Sequence, residues 1–285
     1  MLISWKYRPR NTLIQRLDPR ARLIFMLAAL VSLLFFWDLR YELFFFVLAL
    51  GQYTLARLSF RDTRRAWLLM GPLIVVLTIL TFLTGRFHEG VYSEEHVLGQ
   101  LVLFRRLTIV FSAEKIAFAV AQLLRITTIT LLAVIIPYTI DPSLYGVTFR
   151  GLGLPDKFAY AMDLAFRLVP TLGRDFSITY DAQRARGYEL EKLKGGIVAQ
   201  IRRVAPLLVP VVIQAIVGGE EVIDSMDLRA FGVGPRTWLP QLKYSRADRL
   251  LLAFSVLLVA GGTALMVMGY GGFWVPEFLL RIAQP

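Results

Sequence analysis

Residues 156–187 read DKFAYAMDLAFRLVPTLGRDFSITYDAQRARG. Phe158, Met162, Ala165, Val169, Leu172 and Phe176 recur at spacings of three and four, while Asp163, Arg167, Arg174 and Asp181 fall on the opposite side. That period is helical. One helix over 156–186 would be about 45 Å long, bent where Pro170 interrupts the backbone ladder. The charged face argues against a membrane span and predicts a helix lying at the membrane surface or packed on a partner. The rest of the chain has to be read around this amphipathic rod, which ends on Arg184-Ala185-Arg186-Gly187.

Its surroundings are apolar. Of 285 residues, 56% are hydrophobic and 19% charged, with a mean hydropathy of +0.58. A soluble domain of this length carries more charge, so the composition predicts an integral membrane protein. Asp18-Pro19 reads as a helix start, a capping carboxylate followed by a proline where no N–H is needed. The apolar runs Leu23–Trp37 and Leu43–Leu55 are short for a bilayer that needs about 20 residues, and they predict a tight hairpin with Trp37 and Tyr41 at the interface. Trp67–Leu83, Ala113–Tyr138 and Leu250–Met268 complete five expected spans, the last with Gly261-Gly262 for close helix contact. The 101–111 stretch LVLFRRLTIVF is too short and too charged to be a sixth.

Charge orients these spans. The N-terminal arm carries Lys6, Arg8, Arg10, Arg16, Arg20 and Arg22. The second-to-third connection carries Arg57, Arg61, Arg64 and Arg65, and the connection between spans one and two only Arg40. The positive-inside rule puts the N-terminus in the cytoplasm, the 85–112 connection outside and the C-terminus outside, with Trp274 as an interfacial anchor. The basic N-terminus lacks the layout of a secretory signal. The net charge of +11 then belongs to cytoplasmic loops rather than to nucleic-acid binding.

Chemistry is sparse. There is no cysteine and only His88 and His96, no nucleophile stands beside a base, and no GxxxxGK[ST] phosphate loop is present. No enzyme activity, metal centre or cofactor is expected. Glu220, Glu221, Asp224 and Asp227 point in several directions along one helix, so they offset nearby arginines rather than build a divalent-cation site. Arg125, deep in an apolar run, needs a carboxylate, a carbonyl or water. It is either a coupling residue or, more simply, a structural charge paired inside the bundle. Arg167 and Arg203, each in an Arg-x-x-Pro context, read as solvated or headgroup-facing, and Asp163 and Asp181 as a solvated face.

Three segments follow: 1–138, an N-terminal cytoplasmic arm and four spans; 139–247, a cytoplasmic region of two or three long amphipathic helices; and 248–285, the final span and an external tail. In the middle segment Asp141-Pro142 starts a short helix ending near GLGLP (151–155), and 196–231 is a third helical pattern. Its core, VAPLLVPVVIQAIV (204–217), has fourteen residues and two prolines and reads as interfacial rather than spanning. FRLVPTL (166–172) echoes RRVAPLL (202–208), but the spacing from proline to the closing arginine differs, so the two helices are parallel in use rather than proven duplicates.

DLRAFG (227–232) looks like a looser copy of the 184–187 motif. Each reads locally as a helix terminus, closed by Gly187 and by Gly232 with Pro235 following, and with arginine facing the negative end of the helix dipole. The pairing supports a second reading. Small neighbours, Ala185 and Gly187 around Arg186 and Ala230 beside Arg229, would let a helix tip enter a groove while the guanidinium makes directed hydrogen bonds.

The chain resembles the T component, the transmembrane coupling subunit, of energy-coupling factor vitamin and metal importers, a CbiQ-like family. The resemblance covers about 16–270. It is carried by RLDPRARL (16–23), by QLLRITTITLL around Arg125, by Gly153-Leu154-Pro155 with the Arg167–Pro170 helix, and by the two arginine motifs. It implies an all-α integral membrane scaffold of about five transmembrane helices with long cytoplasmic coupling helices, set in the inner membrane of a prokaryotic cell. Arg186 and Arg229 would each dock into one of two ABC-type ATPase subunits, and a substrate-binding membrane subunit (S component) would pack on the apolar helices. Ala185-Arg186-Gly187 matches the motif fully, whereas Leu228-Arg229-Ala230 departs from it at both flanks. A lipid-modifying intramembrane enzyme using basic helices on headgroups, or a stand-alone secondary transporter, are the alternatives.

Overall fold

The computed structural model describes residues 7, 9–84, 97–103, 107–188, 197–234, 238–239 and 241–276. Pro235 lies outside them, as does the side chain of Arg203. The regular secondary structure among the described residues is helical except for one antiparallel hairpin of β1 (Val97–Leu103) and β2 (Leu107–Ser112), with an irregularity between Val97 and Gly99. The chain divides into two compact units, one formed by Lys6–Asp141 and Lys243–Pro285, the other centred on Pro142–Leu242.

The first unit holds α1 (Leu13–Arg16), α2 (Pro19–Leu33), α3 (Leu39–Leu55), α4 (Phe60–Thr84), α5 (Ala113–Thr139) and α9 (Arg246–Val267). Their starts are written in the sequence. The carboxylates of Asp18 and Asp38 cap α2 and α3, Ser112 caps α5, and Ser245 with Asp248 forms a reciprocal capping box on α9. α2 packs along α9, and α3 and α4 pack on α5. Small residues sit where helices meet: Ala21, Ala29, Ala49, Ala56, Ala113 and Ala117 are all buried. In lipid, where the solvent is as apolar as the side chains, such close approach is what holds helices together. Phe25, Ala29, Ala49, Leu131 and Leu132 form one core cluster, and Leu33, Phe36, Phe45 and Leu258 another. Of the glycine pair in α9, only Gly262 faces a neighbour: a Cβ there would lie 3.4 Å from Phe35, whereas Gly261 has nothing near it.

The set of spans differs from the sequence reading. Among the described residues, Phe60–Leu83, Ala113–Thr139, Val204–Asp227 and Arg246–Val267 are long and apolar enough to cross a membrane. α2 and α3 stop at 15 and 17 residues, because the chain turns after Leu34 and again at Arg57, whose φ is +49°. Conversely, residues expected to be interfacial belong to a helix that passes Pro206 and Pro210 and continues through Gly218-Gly219 to Asp227. The fourteen-residue apolar run was too narrow a window, since Val222 and Ile223 extend it.

The second unit contains a 3-10 turn (Pro142–Leu144), α6 (Tyr145–Gly151), α7 (Asp156–Ala185) and α8 (Ile197–Asp227). α6 packs on α7, and α7 on α8. The stripe of α7 that packs is not the predicted apolar one. Ala159 and Asp163 are its buried residues, Phe166 stacks on Tyr145 at 4.8 Å, and Phe158 stays exposed. Asp163, read from the sequence as solvated, is only 5% exposed and pairs with Arg167 at 2.8 Å. The reason is Gly146. With no side chain, it lets α6 approach until an added Cβ would stand 2.7 Å from the Asp163 Cβ and 2.8 Å from the Ala159 carbonyl.

Candidate functional site

Both long helices of the second unit end in the same backbone structure. In α7, Arg186 is the C-cap, Gly187 follows with φ +84°, its N–H donates to the Arg184 carbonyl (3.0 Å), and the Tyr188 N–H donates to the Gln183 carbonyl (3.0 Å). In α8, Arg229 stands at the same place. Ala230 takes φ +52°, its N–H donates to the Asp227 carbonyl (2.9 Å), and the Phe231 N–H donates to the Met226 carbonyl (2.9 Å). This is the Schellman pattern of a 6→1 and a 5→2 bond around one left-handed residue. α8 therefore turns on Ala230, two residues before Gly232, where the sequence reading placed the stop. Gly232 is also left-handed (φ +90°), but it lies beyond the closing bonds.

The shared pattern fixes an alignment that spacing from the prolines obscured. Residues 181–188, DAQRARGY, superpose in register on 224–231, DSMDLRAF. Asp181 matches Asp224, Arg186 matches Arg229, Gly187 matches Ala230 and Tyr188 matches Phe231. Burial matches as well: Gln183 and Met226, Tyr188 and Phe231 are half-buried, and every other residue of both octets is exposed. The flank Leu228 is 90% exposed, an unusual state for leucine beside an arginine that makes no ion pair among the described residues. Phe231 anchors the second tip, its ring 4.6 Å from that of Tyr160 in α7, while the Tyr160 hydroxyl donates to the Met226 sulfur at 3.5 Å. The sequence signal for these aromatics was their place two residues after each arginine.

Arg125 lies in the first unit and belongs to a different construction. It is 7% exposed. Its Nε donates to Glu42 Oε1 at 2.7 Å, Nη2 reaches the same oxygen at 2.6 Å and also donates to the Phe36 carbonyl, and the guanidinium lies 4.0 Å over the Trp37 ring. It thus clamps the turn between α2 and α3 to the middle of α5. Trp37 stacks in turn on Phe118 at 5.5 Å, and its backbone N–H donates to the Gly271 carbonyl at 3.5 Å.

The RLDPRARL segment works at the other layer of this unit. The Asp18 carboxylate accepts from Arg20, and the Asp18 N–H donates to Asp248 Oδ1 at 2.7 Å. Buried Arg22 donates through Nη1 to the Thr139 carbonyl at 3.0 Å. Arg10 pairs with Asp62 and donates to the Arg57 carbonyl, and the Tyr138 hydroxyl donates to the Asp62 carbonyl at 3.1 Å. The starts of α2, α4 and α9 and the ends of α3 and α5 are thereby fastened in one layer.

Residues 10–238 match the family described as cobalt transport protein, CbiQ. Curated relatives named energy-coupling factor transporter transmembrane protein EcfT align over nearly the whole chain. The protein of Staphylococcus aureus is 28% identical over 280 residues, covering 95% of this chain and 98% of its own. That of Lactococcus lactis is 26% identical over 269 residues (90% and 95%), and that of Thermotoga maritima 26% over 280 residues (93% and 92%). Four apolar helices of spanning length among the described residues, a buried Arg125–Glu42 pair between α5 and α3, and relatives of matching extent lead to one conclusion: the chain is a multi-pass membrane protein of the CbiQ family, a transmembrane (T) component of an energy-coupling factor transporter.

Proposed function

We propose that this chain is the non-catalytic subunit that carries motion from two cytosolic ATP-binding-cassette subunits to a separate substrate-binding membrane subunit in vitamin or metal-ion uptake. Arg186 and Arg229 are the docking residues, one for each ATPase. Ala185, Gly187 and Ala230 leave the two guanidiniums room to enter a groove, and Leu228, 90% exposed, flanks the second arginine where the motif departs from the first. The N-terminus and the two arginine-bearing helix tips lie on the cytoplasmic side, and Arg125 is a structural charge.

One observation carries this reading. Two long helices close on exposed arginines that have no ion-pair partner among the described residues, in the same hydrogen-bond register. A single Schellman end needs no partner to explain it, and α6 ends the same way on Gly153. A pair of such ends, each with arginine at the C-cap, suits two equivalent grooves, because a guanidinium makes several directed hydrogen bonds from one rigid plane.

Arg186→Glu with Arg229→Glu tests it. When the transporter is purified from cells in mild detergent, the double variant is expected to lose its ATPase subunits and its coupled ATP hydrolysis while remaining in the membrane. Undiminished assembly and hydrolysis would sink the docking assignment.

A further inference from the structure

The two aligned tips differ at one charged position. Among residues 181–188 the charged groups are Asp181, Arg184 and Arg186; among 224–231 they are Asp224, Asp227 and Arg229. Asp181 matches Asp224 and Arg186 matches Arg229, so the whole difference lies at Arg184 against Asp227. One tip carries two cations and one anion, the other two anions and one cation.

Local stability does not explain the difference. The last turn of a helix presents unpaired carbonyls and the negative end of the dipole, which favours Arg184 and disfavours Asp227. Asp224, three residues before Asp227, adds a like charge on the same side. Neither Arg184 nor Asp227 forms an ion pair among the described residues, and both side chains are exposed. An exposed carboxylate at the wrong end of a helix, with no cation paired to it among the described residues, conflicts with its own element. Such conflicts mark sites used for something other than folding.

We infer that Arg184 and Asp227 are specificity-determining residues that tell the two ATPase grooves apart: the groove receiving the Arg186 tip has an acidic rim facing position 184, and the groove receiving the Arg229 tip has a basic rim facing position 227. This inference rests on the docking reading above. The common arginine supplies the hold that both grooves share. The opposite charges two residues earlier set which groove accepts which tip, since like charges brought together at an interface penalise the wrong pairing. The partner is therefore an ATPase pair whose two docking faces differ in charge.

The chain has no cysteine, so a single introduced cysteine is unique. Ala182→Cys and Ser225→Cys occupy matching exposed positions on the two tips. Each is labelled with a maleimide photocrosslinker in the assembled, purified transporter, and the crosslinked ATPase peptides are identified by mass spectrometry. Residue 182 is expected to capture a peptide rich in Asp and Glu, and residue 225 one rich in Lys and Arg. Arg184→Asp should lower the yield at residue 182 about three- to tenfold and leave residue 225 within about twofold; Asp227→Arg should do the reverse. The neutral variants Arg184→Gln and Asp227→Asn should give smaller losses in the same direction, with no cost to folding at exposed sites. Capture of peptides of like charge at both tips, or yields indifferent to both reversals, overturns the inference. If yields also survive Arg186→Glu with Arg229→Glu, it is the docking reading that fails; if they collapse there but ignore the reversals, only the present inference does.

Discussion

Ala230 carries a conformational cost that Gly187 does not. Both sit in the left-handed region, at φ +52° and +84°, but a Cβ there collides with the neighbouring carbonyl and costs about 1 kcal/mol. Ala230→Gly should therefore steady the end of α8 by about that amount, and Gly187→Ala should loosen α7 by a similar amount. Amide hydrogen exchange over residues 224–231 and 181–188 would register both, and equal protection in variant and parent would contradict the assignment. The same residue explains what the sequence hid. A glycine is the obvious helix stop, so DLRAFG points to Gly232, and only the bonds from Ala230 and Phe231 reveal the shorter helix. The arginines themselves are legible, because a cation beside small residues at the end of an amphipathic period is visible in one dimension. Arg125 is legible as a buried charge in need of a partner. Its partner is not, since Glu42 is 83 residues away in a stretch that reads as a surface turn.

Helices α6 and α7 meet at Gly146, and α3 and α5 at the Arg125–Glu42 pair, so each contact can be broken by one side chain. Gly146→Ala places a methyl group 2.7 Å from the Asp163 Cβ, and overpacking of that kind costs about 1–3 kcal/mol. Faster exchange of the α6 amides is the expected readout, and unchanged exchange would mean that α6 yields without cost. At the second contact, Arg125→Met and Glu42→Gln each strand a buried polar partner and should cost about 3–5 kcal/mol. The double variant, Arg125→Met with Glu42→Gln, should be less damaging than the sum of the two. Thermal unfolding in detergent closes that double-mutant cycle, and additive losses would show that the pair does not act as a unit. At this scale the period of α7 and its start are readable, and helix type is readable throughout. Span lengths are not, because apolar composition does not reveal where Leu34 and Arg57 turn the chain. The hairpin β1–β2 is equally hidden, since residues 101–111 contain no Gly, Pro, Asn or Asp to announce its turn.

In the Lys6–Asp141 and Lys243–Pro285 unit, α2, α3, α4, α5 and α9 alternate in direction, with one layer of ends fastened around Asp18, Arg22 and Asp62 and the other around Trp37 and Gly271. Arg61→Cys and Gly272→Cys, each the only cysteine in the chain, should react with a membrane-impermeant maleimide from opposite sides of a sealed vesicle, Arg61→Cys from the cytoplasmic side. Labelling of both from one face would refute the alternation. The long-range ties that build these layers are the least legible part of the molecule, because a sequence shows the capping role of Asp18 but not its bond to a residue 230 positions later. That bond sets a schedule for synthesis. The ribosome completes α2 early, yet Asp248 leaves it only after the whole of 142–242, which at about 5–20 residues per second means a wait of roughly 10–50 s. Through that interval α2 sits without its last neighbour, and a chaperone or insertase has something to hold.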